Sequence, residues 1–130
     1  MHEFDIAERI FKVIRDSALR SGMKKVTKAK LRLGKMIGFQ RQELEIALAM
    51  NKKDELIRDL KFEIDEIPVK LQCNSCGHEF IDERFDDFDF AHKIAHAPHF
   101  YLPQNCPNCS SEIIAVITGK EMELVSISND

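Results

Sequence analysis

The chain has 130 residues, 44% of them hydrophobic, four cysteines and a formal net charge of −3 at pH 7. This length allows one ordinary domain, or one small core plus a second module that a metal ion stabilises. The charge argues against a nucleic-acid binder, because residues 68–130 carry 4 Lys and Arg against 10 Asp and Glu, whereas residues 1–67 carry 15 against 12.

The N-terminal part of the chain predicts a helix followed by a strand. Apolar residues recur every three or four positions from Met1 to Ser21, which indicates an amphipathic helix that begins almost at the N-terminus. From Val26 to Gly34 apolar residues alternate with Lys and Arg, as in a strand with one solvent-facing side. That basic side is either an ordinary solvated face or a surface for an acidic partner.

The next elements follow the same two periods. Helical spacing returns from Arg41 to about Asn51, and the charged residues 51–59 predict a turn. Alternation from Leu60 to Ile64 predicts a strand that ends near Pro68. A last strand is expected from Met122 to Ile127, and because it is apolar on both sides we expect it in a sheet covered on both faces.

All four cysteines fall into two Cys-x-x-Cys pairs, Cys73 with Cys76 and Cys106 with Cys109. Two intervening residues let one tight turn aim both thiolates at one ion, and Gly77 supplies the φ freedom that such a turn needs. Four thiolates suit a closed tetrahedral site, for which Zn²⁺ is the default ion. Iron, a pair of disulfides and a redox-active pair are the alternatives, and a catalytic zinc is disfavoured because such sites keep an open position.

We expect a reducing, cytoplasmic compartment, where paired Cys-x-x-Cys motifs more often bind metal than form disulfides. The expectation rests on the lack of an apolar export signal before the first helix. The sequence also contains no apolar run of membrane-spanning length, so no membrane partner is expected.

A long segment, residues 77–105, separates the two cysteine pairs. Acidic residues and phenylalanines alternate in its first half, and three histidines, His92, His96 and His99, follow. On a helix His92 and His96 would share a face, where they either hold a metal ion together or form an ordinary solvated surface. His78, directly after the first pair, is a less favoured replacement for one cysteine ligand.

The N-terminus is a second candidate metal site. The free α-amine of Met1, the amide nitrogens of His2 and Glu3, and the His2 imidazole can surround one ion in a plane. Square-planar nitrogen donation suits Ni²⁺ and Cu²⁺ rather than zinc. Taken alone, an N-terminal histidine is more often an ordinary surface residue.

Four stretches together resemble the HypA family of hydrogenase nickel incorporation proteins: Met1 to Phe4, Ile6 to Ile10, Leu31 to Met36 and the paired cysteine motifs. The similarity extends over essentially the whole chain. It implies a nickel metallochaperone rather than an enzyme, with transferable Ni(II) held through Met1, His2 and Glu3 and with structural Zn(II) held by the four cysteines.

The resemblance also implies partners and an additional ligand. The implied partners are a HypB-type GTPase and the precursor of the [NiFe] hydrogenase large subunit, and the implied protein is a monomer or homodimer. The long segment resembles that of archaeal members, in which a His-Phe pair adds a nickel ligand; His99 is the nearest match and His96 the next. The sequence departs from the family at Lys52 to Glu55, where a small Gly-Thr turn is usual.

The implied architecture is α+β, resembling an α/β sandwich, with two helices on a small three-stranded mixed sheet and an inserted four-cysteine zinc ribbon. Residues 1–68 with 119–130 would form the nickel-binding domain, to whose sheet the last strand returns. Residues 69–118 would form the zinc-binding domain. The alternative function is a zinc-ribbon adaptor that binds a protein or nucleic acid and carries no exchangeable metal.

Overall fold

The computed structural model describes residues 2–50 and 54–130, with His2 described by its backbone alone. Its helices and strands are, in chain order, α1 (His2–Ser21), β1 (Lys28–Gly34), α2 (Arg41–Met50), β2 (Lys61–Ile67), β3 (Lys70–Cys73), β4 (Glu79–Ile81), α3 (Phe88–His96), β5 (Ile114–Thr118) and β6 (Met122–Ser128). Short 3-10 turns lie at Lys35–Ile37, Glu55–Ile57, Glu83–Asp86 and Pro98–Phe100. Within the described ranges, no helix is both long and apolar enough to cross a membrane.

The chain divides into two compact units. Unit 1 comprises Met1–Arg32, Phe39–Asp65 and Met122–Asp130, and unit 2 comprises Leu33–Gly38 and Glu66–Glu121. The predicted α+β class is confirmed, because two helices accompany one three-stranded sheet and a second three-stranded sheet carries the cysteine-rich part of the chain. The predicted assignment of nickel binding to one domain and zinc binding to the other stays a prediction.

Unit 1 is built on the amphipathic helix α1. The helix packs against α2 and β6. Its buried side chains recur at the predicted spacing of three and four, and they are Ile6, Ala7, Ile10, Phe11, Ile14 and Ala18. Strand β1 buries Ala29 and Leu31 and exposes Lys28 and Lys30, so the predicted basic face is present. Removing these apolar side chains from water is the main contribution to the stability of this unit.

The sheet of unit 1 has the order β2-β1-β6. Thr27, just before β1, donates its N–H to the carbonyl of Ser128 at the end of β6, so β1 and β6 run antiparallel. Lys61 donates its N–H to the carbonyl of Thr27, at matching ends of β1 and β2. The predicted return of the last strand to the N-terminal sheet is therefore confirmed.

The prediction that the last strand is covered on both faces is wrong. Val125 in β6 is 49% exposed, and Met122, Leu124 and Ile127 are only partly buried. Strand β6 lies at the edge of its sheet, where neither face is fully enclosed by the small set of helices.

Two predicted features fall on residues 51–53 and lie outside the described residues: the end of the second helix at Asn51, and the first part of the departure at Lys52 to Glu55. From Asp54 onward the charged turn is described. The Asp54 carboxylate accepts the Leu56 N–H at 3.0 Å and so caps the 3-10 turn Glu55–Ile57. Such capping favours a tight turn over continuation of a helix.

Unit 2 is built on the antiparallel sheet β4-β3-β5. Its buried core consists of Val69, Leu71, Phe85, Ala91 and Ile94. Partly buried Met36 packs against this core, which explains why Leu33–Gly38 belongs to unit 2 although it is distant in sequence. The backbone of Gly38 also lies close to Ala91 and Ala95 of α3.

Leu33–Gly38 is fastened to the C-terminal end of unit 2 by backbone hydrogen bonds. Gly34 donates to the carbonyl of Glu121 at 2.8 Å, and Met36 donates to the carbonyl of Gly119 at 2.9 Å. A Cβ atom on Gly34 would overlap the carbonyl group of Gly119. Glycine is therefore required at position 34 by the close approach of two backbones.

Candidate metal centre

The four cysteine sulfur atoms converge on one point in unit 2. All four lie within 4.8 Å of one another. The Sγ atoms of Cys73 and Cys109 are 3.6 Å apart, as are those of Cys76 and Cys106. A tetrahedral ion with metal–sulfur bonds of about 2.3 Å places its ligands roughly 3.8 Å apart. The sulfur atoms therefore have the spacing of a closed four-thiolate site.

The first cysteine pair lies in the hairpin turn between β3 and β4. Cys73 Sγ accepts hydrogen bonds from the N–H groups of Ser75 and Cys76 at 3.4 and 3.5 Å. The turn closes through Gly77 N–H to Cys73 carbonyl at 2.8 Å and Cys73 N–H to His78 carbonyl at 2.9 Å. Gly77 has φ of 81°, in the left-handed region, so the predicted need for glycine here is confirmed.

The second cysteine pair repeats this pattern. Cys106 Sγ accepts the Asn108 N–H at 3.3 Å. Ser110 N–H donates to the Cys106 carbonyl at 2.8 Å, and Cys106 N–H donates to the Ser111 carbonyl at 3.0 Å. Ser110 occupies the position that Gly77 has in the first turn, and it adopts a left-handed φ of 65°. Each turn thus presents its sulfur atoms in the same backbone frame.

Side chains also connect the two turns. The Asn108 side-chain amide donates to Cys76 Sγ at 3.5 Å, and the hydroxyl groups of Ser75 and Ser111 are 2.8 Å apart. Cys73 and Cys106 are buried, whereas Cys76 and Cys109 are exposed. Each turn therefore contributes one buried and one exposed cysteine to the site.

The pKa values of Cys73 and Cys109 are shifted in opposite directions by their neighbours. The N–H group of Cys76 stabilises the Cys73 thiolate and lowers the pKa of Cys73 to about 6. The Ser111 N–H favours a thiolate at Cys109 too, but the neighbouring sulfur atoms, led by Cys73, outweigh it and raise the pKa of Cys109 to about 12. A bound cation would favour the thiolate form of all four sulfur atoms, and a soft, closed donor set fits zinc without excluding another thiophilic metal.

The N-terminal candidate site is described only in part. Met1 and the His2 side chain lie outside the described residues, so their role as nickel ligands stays a prediction. The Glu3 side chain is 8% exposed, and its carboxylate accepts the Gln40 N–H at 3.2 Å. Helix α1 begins at His2, and the N–H groups of the first turn of a helix have no acceptor within the helix.

The histidines of the long segment do not form one cluster. His92 and His96 lie on α3 with their Nε2 atoms 3.0 Å apart. His99 is exposed on the turn Pro98–Phe100, where its ring packs against Phe100 at a centroid distance of 4.3 Å. Among the residues whose side chains are described, the four cysteines are the only group of three or more potential ligands, so neither His99 nor His78 joins such a group. The role of His99 as a nickel ligand stays a prediction.

Sequence reasoning missed an ion-pair cluster that holds the long segment against the sheet. The carboxylate of Asp82, which is 1% exposed, accepts from Arg84 Nη2 at 2.7 Å and from the Tyr101 hydroxyl at 2.8 Å. Arg84 also donates to the carbonyl of Leu102 at 2.8 Å and stacks over the Phe90 ring at 4.8 Å. The available signal was that Arg84 is the one basic residue in the acidic run 82–89.

Burial and pairing have opposite effects on this carboxylate. Desolvation on its own would raise the pKa of Asp82, but the hydrogen bonds from Arg84 and Tyr101 outweigh it, and the pKa is lowered. Burial, followed by the hydrogen bond to Asp82, raises the pKa of Tyr101 well above its usual range. The Asp82–Arg84 pair therefore stays ionised at neutral pH, Tyr101 stays neutral, and their hydrogen bonds hold Tyr101 and Leu102 in the chain that leads to Cys106.

Comparisons with known proteins agree with this geometry. The family model described as "Hydrogenase/urease nickel incorporation, metallochaperone, hypA" matches residues 1–129. The hydrogenase maturation factor HypA of Wolinella succinogenes is 30% identical over 127 residues, which cover 98% of this chain and 93% of that protein. HypA of Thermococcus sibiricus is 27% identical over 133 residues, which cover 98% of this chain and 95% of that protein.

The solution structure of the Ni metallochaperone HypA from Helicobacter pylori has a TM-score of 0.62 to this chain at 19% sequence identity. The match covers 98% of this chain and 96% of that one, so the two share a fold. The matched family model describes a metallochaperone and not an enzyme. The family match and the four-cysteine cluster together lead to one conclusion: this chain belongs to the HypA family of nickel incorporation metallochaperones.

Proposed function

We propose that this protein binds Ni(II) at its N-terminus and delivers it for maturation of the [NiFe] hydrogenase metal centre, while the four cysteines hold a structural Zn(II). The observation that carries the proposal is that the family match begins at residue 1, so Met1, His2 and Glu3 lie inside the region shared with nickel incorporation proteins. The α-amine, two amide nitrogens and one imidazole would supply the planar nitrogen donors that Ni²⁺ prefers.

The physical logic is a contrast between a site that retains its ion and a site that releases it. Four thiolates held in two hydrogen-bonded turns form a closed cage, in which zinc binding is coupled to folding. A site at the chain end would take its four donors from three consecutive residues rather than from two separate turns, so a recipient could replace them one at a time. Transfer therefore belongs at the N-terminus and structure at the cysteines.

The hydrogen bond that the Glu3 carboxylate accepts indicates which atom of Glu3 can bind nickel. Its carboxylate is nearly buried and is engaged by the Gln40 N–H. We therefore expect Glu3 to contribute its amide nitrogen rather than its carboxylate. The carboxylate instead anchors the first turn of α1, whose N–H groups have no acceptor within the helix.

The expected recipients are the precursor of the hydrogenase large subunit and a HypB-type GTPase, in the cytoplasm, with the carrier acting as a monomer or homodimer. The basic face of β1 exposes Lys28 and Lys30, but Lys28 pairs with Glu63 at 3.6 Å, so an acidic protein partner would have to compete with that ion pair. The acidic balance of residues 68–130 disfavours nucleic acid as a partner.

The proposal is tested by calorimetric titration of untagged, zinc-loaded protein with Ni²⁺. His2→Ala removes the imidazole donor, so we expect the nickel affinity to fall by about tenfold or more while the zinc content is unchanged. His78→Ala is the matched control, since it removes an exposed imidazole and leaves the N-terminus intact. Equal nickel affinity in the wild type and His2→Ala would reject the N-terminal site.

A second comparison isolates the α-amine. An N-terminal Gly-Ser extension displaces the amine from His2, whereas the same extension after Asp130 does not. We expect only the N-terminal extension to weaken nickel binding. If neither extension has an effect and zinc is the only metal bound specifically, the zinc-ribbon adaptor becomes the better assignment.

A further inference from the structure

Helix α3 carries two imidazoles that converge. His92 and His96 are four residues apart on this helix, and their Nε2 atoms are 3.0 Å from each other. Side chains at this spacing lie on one face of a helix, one above the other. The two rings meet edge to face, with centroids 4.3 Å apart and an interplanar angle of 68°.

The separation of the two nitrogens is compatible with binding to one ion. Two adjacent ligands at about 2.1 Å and about 90° lie roughly 3.0 Å apart, as in a square-planar or octahedral complex. Two tetrahedral ligands at the same bond length lie roughly 3.4 Å apart. The observed 3.0 Å is the length of a hydrogen bond between the rings and is close to both values, so one divalent first-row ion can replace the shared proton and bind both nitrogens.

The surroundings of the pair also favour a cation. The His92 ring packs against Phe88 at a centroid distance of 5.2 Å, which restricts its rotation. His96 is the last residue of α3, where the helix dipole is negative. Lys93 in the last turn of the same helix carries an opposing charge, but as a sequence neighbour of His92 it does not share the face of the two histidines.

We propose that His92 and His96 form a bidentate site for a divalent first-row ion, which is Ni²⁺ in a nickel carrier. Each ring would bind through Nε2, and the remaining coordination positions would be filled by water or by donors from another molecule. One Nε2 carries a proton when the rings hydrogen-bond to each other; on binding, that proton moves to Nδ1 of the same ring. The step needs no oxidant or reductant.

The site acts as a weak holding position on unit 2, since two protein ligands bind an ion less tightly than four. The choice of nickel as the ion rests on the proposed carrier function, whereas the pair of imidazoles does not. The two proposals can therefore fail separately.

The test uses the full chain, loaded with zinc and carrying His2→Ala to weaken the N-terminal site. Titration with Ni²⁺ alone should reveal a weak residual site. Adding His92→Gln or His96→Gln should lower the affinity of that residual site by about tenfold, because each variant converts two-point binding into single-point binding. Glutamine retains the helical preference of this position, so α3 is expected to persist.

The matched control is the pair Lys93→His with His96→Gln. It keeps the number of imidazoles constant but places them on adjacent residues, which do not face each other on a helix. This variant should bind as weakly as His96→Gln. The thermal midpoint in the presence of Ni²⁺ provides a second measurement, since an ion that binds only the folded state raises it.

Two results would overturn the proposal. One is a residual nickel site that persists unchanged when both histidines are replaced by glutamine; the other is the lack of any residual site in the His2→Ala protein. Failure of the N-terminal site has a different signature, because the wild type and His2→Ala would then titrate identically while the effect of His96→Gln remained.

Discussion

The two cysteine turns have the same backbone hydrogen bonds but different support. The turn at Cys73 joins two paired strands, β3 and β4, whereas the turn at Cys106 lies in irregular chain ahead of β5. The left-handed position is glycine in the first turn and Ser110 in the second. The same backbone frame can therefore present thiolates between paired strands or in irregular chain. The second turn lacks the support of paired strands, so its conformation depends more on the metal ion and on side-chain contacts.

Removing a metal ion from the four cysteines should produce the largest difference between the two turns. Binding of a structural zinc is coupled to folding by on the order of 10 kcal/mol, so a chelator should destabilise unit 2. We expect the amide hydrogens of Cys106 and Ser110 to lose protection from hydrogen exchange before those of Gly77 and Cys73. Mass spectrometry of exchange during chelation measures the order, and equal loss in the two turns would contradict it.

Asp82→Asn should remove the side-chain support of the second turn. The variant leaves Arg84 without its buried counter-charge, and because Arg84 is partly exposed we expect a loss of about 2–3 kcal/mol in the free energy of unfolding. Asp86→Asn is the matched control, since the Asp86–Lys35 pair is exposed and should contribute less than about 1 kcal/mol. Chemical denaturation of the zinc-loaded proteins compares them; equal losses would exclude a special role for Asp82.

The same carboxylate should give a defined acid dependence. The pKa of Asp82 is lower in the folded protein than in the unfolded chain, so its contribution is fully present above the unfolded value of about 3.9. That contribution is lost as the pH falls below this value and through the folded pKa. The stability difference between wild type and Asp82→Asn should therefore shrink in this acid range, and a constant difference would argue against an ionised Asp82.

The left-handed positions should give the smallest effects, with opposite signs. Gly77→Ala places a Cβ where no other atom lies within 4 Å, so only backbone strain of about 1–2 kcal/mol opposes it, and after the smaller entropy of an unfolded alanine we expect a net loss of about 0.5 kcal/mol. Ser110→Gly relieves the same strain, and after the larger entropy of an unfolded glycine we expect a gain of about 0.5 kcal/mol. Denaturation midpoints of the two variants measure both, and changes of the same sign would show that the turns are not equivalent.

Features that depend on short sequence separations could be predicted. The apolar spacing of α1 and the alternation in β1 arise from contacts along one element, and the spacing of Cys73 and Cys76 is set by a single turn. These predictions are confirmed because the backbone periods of helices and strands leave little choice. The spacing of His92 and His96 indicated that on a helix they would share a face, and the helix is present; metal binding and an ordinary solvated surface were the two interpretations of that face.

Features that depend on distant partners could not be predicted. The contact of Asp82 with Tyr101 and the packing of Met36 on the core of unit 2 need the fold before they can be recognised. Lys35–Ile37 forms a 3-10 turn that packs with α3, a contact between segments about fifty residues apart. The left-handed Ser110 carried no signal, since serine rarely adopts that conformation.

The close backbone crossing at Gly34 and Gly119 has a practical consequence. A peptide cut out as residues 66–121 would retain all four cysteines but would lose Leu33–Gly38, whose backbone and Met36 side chain complete its fold. Such a peptide would leave the Gly119 carbonyl without its donor and part of its apolar interior open to water. A minimal protein that retains the cysteine site must therefore combine Leu33–Gly38 and Glu66–Glu121 through a new linker.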